Sequence, residues 1–184
     1  MLDAPVSGGA IGAQRASLAV MVGGDEALYR QIKPVLNAIG DKVTYIGEIG
    51  AGSIAKLVHN MIGICTRAAV AEAFTMGVKA GVSPEALLAA VKGGAFGQGL
   101  LLTHMLPDIV FKGDFDNVRF ALKLARKDLG LATELAREYN VPMAVANLVE
   151  QEMTECLVRG WGDKDSTAPF LLQEERAGVK VRTP

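Results

Sequence analysis

The chain has 184 residues, half of them hydrophobic and 21% charged, with 19 basic side chains against 20 acidic ones. A chain of this length buries a sizeable core, and so apolar a composition excludes a disordered segment. The near-neutral balance, with no basic stripe interleaved with aromatics, speaks against nucleic acid as a partner.

In chain order, "LDAPV" (2–6) and "SLAVMVGG" (17–24) are short apolar runs closed by Ser-Gly-Gly or Gly-Gly, as strands ending in turns are. "DEALYRQIKPVLNAIG" (25–40) carries Leu28, Ile32, Val35, Leu36 and Ile39 at helical spacing. Pro34 within it predicts a kink or a restart. "DKVTYIG" (41–47) returns to strand character. From 53 to 80 the chain becomes one long apolar helix, closed by Lys79 and Gly81. At 1.5 Å per residue it extends roughly 42 Å, enough to leave one domain and enter another. Ser83 and Pro84 open the next helix as N-cap and first residue. After the glycine-rich "KGGAFGQG" (92–99) the pattern gives a short helix ending near Pro107. Longer helices follow over 118–139 and 143–159, and a last one begins after Asp165, Ser166 and Thr167.

The expected fold class is therefore an α/β remnant followed by an all-α domain with a long interdomain helix, mostly α overall. Residues 1–50 form the first domain and 51–184 the second. A strand or two with one helix cannot bury a sheet of their own, so more of the α/β domain is expected before Met1. Cys65 and Cys156 stand in helical patterns without metal-type spacing and are expected as buried thiols in a reducing compartment. "MLDAPVSGG" has neither the basic nor the apolar part of a leader, and Lys56, Arg67 and Glu72 interrupt the apolar run of 53–80. A helix buried in protein, not in a bilayer, is expected, in a cytoplasmic chain or one of an organelle matrix.

"GAGSIAKLVHN" (50–60) has the form of a dinucleotide fingerprint, Gly50-x-Gly52-x-x-Ala55, after a strand and opening a helix. The wider context fails, because no second parallel strand with a terminal acid follows. The more informative residue is Lys56. On a helical wheel Lys56, Asn60, Gly63 and Arg67 share one narrow line, while apolar side chains fill most of the remaining circumference. Such a helix is expected to be buried on most sides and to open onto a polar cavity along that line. Lys56 and Arg67 could simply reach water. The positive end of the helix dipole is nevertheless a costly place for an ammonium, and it suits a lysine that gives and takes a proton. A second misplaced lysine is Lys127, centred on the stripe of Phe120, Leu124, Leu131 and Leu135. A lysine on a core-facing stripe requires an anionic partner, either a carboxylate or a ligand phosphate.

These residues in this order resemble the β-hydroxyacid dehydrogenase family, the group that includes 3-hydroxyisobutyrate dehydrogenase. "DAPVSGG" (3–9) is similar to its substrate-binding stretch, "YIGEIGAGSIAKLVHN" (45–60) to the end of its Rossmann domain and the start of its interdomain helix, and "KDLGLA" (127–132) to its cofactor-contacting motif. The resemblance implies an oxidoreductase of small β-hydroxy acids dependent on NAD or NADP. It implies Lys56 as catalytic acid and base, Ser7, Gly8, Gly9 and Asn60 as substrate-binding, Lys127 as cofactor-binding, and a homodimer or tetramer. The family opens with a glycine-rich strand–turn–helix that these residues lack, so cofactor binding by this chain alone is expected to be incomplete. Two alternatives stand beside it: a non-catalytic helical oligomerisation fragment, and an enzyme like 6-phosphogluconate dehydrogenase, which His59-Asn60 resembles.

Overall fold

The computed structural model describes residues 1–183, which fall into two compact units, Met1–Arg67 and Ala68 onward. In the first, β1 (Leu2–Asp3) and β2 (Val6–Ser7) run antiparallel to the longer β3 (Ala19–Gly24) in one continuous register, with Leu2 opposite Gly24 and Ser7 opposite Ala19. They are two halves of a single strand interrupted at Pro5. That residue has no N–H for the ladder, although its carbonyl still accepts from Met21 N at 3.0 Å. Between β2 and β3 lies a short helix, α1 (Gly9–Gln14). The chain then crosses through α2 (Glu26–Leu36) to β4 (Lys42–Gly47), which lies parallel to β3, as a helical crossover permits. Val20 and Val22 of β3 pack against Tyr29 of α2, and Tyr29 lies 5.3 Å from Tyr45 of β4, ring centre to ring centre.

α3 (Ala51–Lys79) belongs to the first unit up to Arg67 and to the second beyond it. The second unit continues with α4 (Pro84–Gly93), a π-helical stretch Leu101–Val110, α5 (Leu122–Glu138), α6 (Ala144–Val158) and α7 (Pro169–Ala177). Its core gathers Ile109, Val110, Phe115, Leu122, Cys156, Ala168 and Leu172. Asp165 is fully buried, and its carboxylate accepts from the backbone N–H groups of Arg119, Phe120 and Thr167 and from the Thr167 hydroxyl. This accounts for the polar cluster before α7. Glu72 accepts from Val145 N at 2.9 Å and Ala146 N at 3.2 Å. It thereby caps α6, whose own N-cap residue, Met143, supplies no side-chain acceptor.

Several sequence expectations give way here. The Ser-Gly-Gly turn continues directly into α1, which was not expected. α2 runs through Pro34 without restarting and ends at Leu36, within the turn that Pro34 weakens. The stretch through Pro107 is π-helical and continues to Val110. α5 begins at Leu122 because the residues before it are engaged elsewhere: Ala121 bridges to Asp165, and Leu122 N donates to Lys164 O.

The largest difference concerns faces. α3 was expected to be buried, yet Ile54, Leu57, Val58, Met61, Ile62 and Ile64 are all exposed, Leu57 by 69%. Cys65 on the same helix is exposed, and only Cys156 is buried. α3 is long and apolar enough to cross a bilayer; within it, Glu72 serves the second unit as a cap. Likewise Phe120, Leu124 and Leu131 are exposed, because α5 turns Leu122, Thr133 and Ala136 inward instead.

Candidate functional site

The start of α3 is built by glycine and by one carboxylate. Gly50 adopts φ +93°, a left-handed conformation that favours glycine. Gly52 sits so close to the sheet that a Cβ would lie 2.4 Å from the carbonyl oxygen of Met21. Asp3 occupies the space this leaves: its carboxylate accepts from Gly50 N at 2.7 Å, Ser53 N at 2.6 Å and Ser53 Oγ at 2.9 Å. The Gly50 N–H, followed by the Ser53 hydroxyl and N–H, holds the Asp3 carboxyl below the usual aspartate range. Free helical N–H groups of this kind could cradle a phosphate, but here they are satisfied by Asp3 of the protein itself. The glycines serve the close approach of helix and sheet, in agreement with the sequence reading that set the fingerprint aside.

Lys56 follows one turn after Ser53 and is half-buried. Asn60, a further turn on, is exposed, and so is Arg67. The enclosed polar cavity expected along this line is therefore not what the helix presents: the line is open, with Lys56 its most covered side chain before Gly63.

The Ser-Gly-Gly turn reaches the same stretch of helix. Ser7 Oγ lies 2.9 Å from Nε2 of His59. His59 is three residues from Lys56 and adjacent to Asn60, so Ser7 is tied to the turn that carries both. Gly8 and Gly9 follow with φ +136° and +61°, conformations that favour glycine. Ser7, Gly8, Gly9, Lys56 and Asn60 thus all belong to the first unit. His59 is the member that sequence reasoning did not assign, although its spacing from Lys56 placed it near the same face.

Lys127 belongs to the second unit. Its side chain is 60% exposed and pairs with Asp128 at 3.0 Å. The anionic partner expected for it is thus a carboxylate, and the stripe on which it lies faces solvent. It borders a surface cavity of about 620 Å³ together with Lys123, Arg126, Arg137, Glu134 and Glu150. Arg126 is engaged there with Glu150 at 2.9 Å and Thr154 at 3.2 Å. Lys123 pairs likewise with Asp163, so three of the four cations around the cavity already have a carboxylate partner.

Two family models cover most of the chain. One described as "NAD-binding of NADP-dependent 3-hydroxyisobutyrate dehydrogenase" matches residues 50–172, and one described as "NAD binding domain of 6-phosphogluconate dehydrogenase" matches residues 1–47. A 2-(hydroxymethyl)glutarate dehydrogenase of Eubacterium barkeri is 37% identical over 180 residues, covering 98% of this chain and 59% of that protein. The solved 3-hydroxyisobutyrate dehydrogenase of Mycobacterium tuberculosis, with L-serine, is 31% identical with a TM-score of 0.51, covering 94% of this chain and 60% of that one. An imine reductase from a Pseudomonas species reaches a TM-score of 0.76 at 14% identity, over 94% of this chain and 60% of its own, a likeness of fold alone. The chain spans about three-fifths of the length of these proteins.

Proposed function

The chain belongs to the β-hydroxyacid dehydrogenase family, and from that premise we propose that it carries the proton-handling and substrate-holding part of an NAD- or NADP-dependent oxidoreductase of small β-hydroxy acids. The observation that carries the proposal is the Ser7–His59 hydrogen bond, which ties the Ser-Gly-Gly turn to the helical turn of Lys56 and Asn60. The names of the relatives support the substrate class. 2-(Hydroxymethyl)glutarate, 3-hydroxyisobutyrate and L-serine all place a hydroxyl on the carbon β to a carboxylate.

In this reading the Ser7 hydroxyl and the N–H groups of Gly8 and Gly9 hold the carboxylate. Asn60 holds the hydroxyl through its side-chain amide, and Lys56 Nζ takes the hydroxyl proton on oxidation and returns it on reduction. A bound nicotinamide would supply the hydride acceptor for oxidation and the hydride donor for reduction. Lys127 would contact the cofactor, giving up its pairing with Asp128 to do so. The N-terminus of α3 does not fit a pyrophosphate, since Asp3 fills it. In the whole protein, Lys56→Ala is expected to lower turnover by about 10² to 10⁴, with circular dichroism unchanged. Turnover near wild type would remove Lys56 from the mechanism.

A second reading rests on the exposed apolar residues of α3. An apolar surface of this kind marks an interface, and we propose that copies of this chain assemble through it. Assembly without binding of NADH or NADPH would favour an oligomerisation role for these residues over a catalytic one.

A further inference from the structure

A serine hydroxyl has one proton and two lone pairs. Ser7 Oγ already spends one hydrogen bond on His59 Nε2 at 2.9 Å, and that bond can run in either direction. If Nε2 accepts, the only Ser7 proton points at the imidazole, and the oxygen turns lone pairs toward any anion held by Gly8 and Gly9. If Nε2 donates, the Ser7 proton is free for a carboxylate. Only the second arrangement is compatible with a bound carboxylate, because two facing acceptors repel.

Among the described residues, the other ring nitrogen, Nδ1, has no hydrogen-bond partner, so the protein itself does not fix the tautomer. From this we infer that His59 is a positioning residue for substrate: by donating from Nε2 to Ser7 Oγ, it aims the Ser7 proton at the substrate carboxylate. The inference rests on the reading that Ser7, Gly8 and Gly9 hold that carboxylate. It adds a direction to the Ser7–His59 bond and makes the imidazole a reporter of occupancy. In the absence of ligand the ring is free to hold its proton on either nitrogen; with ligand bound, Nε2 carries one.

The test uses the 184-residue chain labelled with ¹⁵N, whose two histidines, His59 and His104, are told apart by the loss of one signal in His59→Gln. Saturation with 3-hydroxyisobutyrate is expected to shift the Gly8 and Gly9 amides and to bring His59 wholly to a form protonated at Nε2. The methyl ester, which lacks the anion, should not do so. His59→Ala is expected to weaken binding about tenfold, and His59→Gln, whose amide still donates, to restore it to within about twofold. Shifts at Gly8 and Gly9 with a bare Nε2 on His59 would overturn the inference and leave the carboxylate reading standing. Undiminished affinity in His59→Ala would do the same. If 3-hydroxyisobutyrate shifts neither Gly8 nor Gly9, the carboxylate reading fails and takes the inference with it.

Discussion

Gly52 can be a phosphate-binding glycine or a packing glycine, and a single methyl group separates the two. Its missing Cβ is demanded by the Met21 carbonyl oxygen, 2.4 Å from where that carbon would sit, and by the Asp3 carboxylate at 2.9 Å. Neither contact involves a ligand. Gly52→Ala is therefore expected to destabilise the chain by about 1–3 kcal/mol, the usual cost of overpacking, as measured by urea unfolding in the absence of any nucleotide. Unchanged stability together with weakened NADH binding would restore the fingerprint to a cofactor role. Ser7 and His59 belong to the same scale. Fifty-two positions separate them in sequence, and no local pattern announces the bond. Lys56, His59 and Asn60 could be grouped from helical spacing alone, but their partner on β2 could not.

At the scale of elements, Asp3 is the side chain that sets where α3 begins. Its carboxyl is held below the usual aspartate range by the N–H of Gly50 and then by Ser53, so the native state binds that proton less readily than the unfolded chain. The linked stability is complete above the ordinary aspartate range, about pH 4, and is lost as pH falls from there through the lower native value. Acidification is expected to lower the protection of the Gly50 and Ser53 amides, measured against their intrinsic exchange rates at each pH, before it lowers that of the interior of α5. Asp3→Asn should abolish that early step. The elements themselves were largely legible. Strand runs, the Ser83–Pro84 start of α4 and the Lys79–Gly81 end of α3 follow from local chemistry, and the structure has them. α1 and the start of α5 were not legible, because each depends on groups distant in sequence, as when Lys164 O claims the Leu122 N–H.

At the scale of the whole molecule, burial was the least legible property. A stripe such as Phe120, Leu124 and Leu131 shows that a face avoids water but not what covers it, and in α5 the inward face is the one bearing Leu122, Thr133 and Ala136. The same ambiguity governs α3, whose apolar side was legible and whose exposure was not. If copies of this chain assemble on that side, a substitution such as Met61→Lys is expected to lower the mass in solution to that of one chain. Light scattering across a dilution series would measure it, and an unchanged mass would place the contact elsewhere.

The chain's two thiols offer a chemical record of the same event. Cys65 stands open on α3 among those apolar side chains, whereas Cys156 lies in the core of the second unit, where burial pushes its thiol up. A maleimide added briefly to native protein will therefore tag the first and spare the second, so the tag on Cys65 becomes a tally of uncovered helices and Cys156 its internal blank.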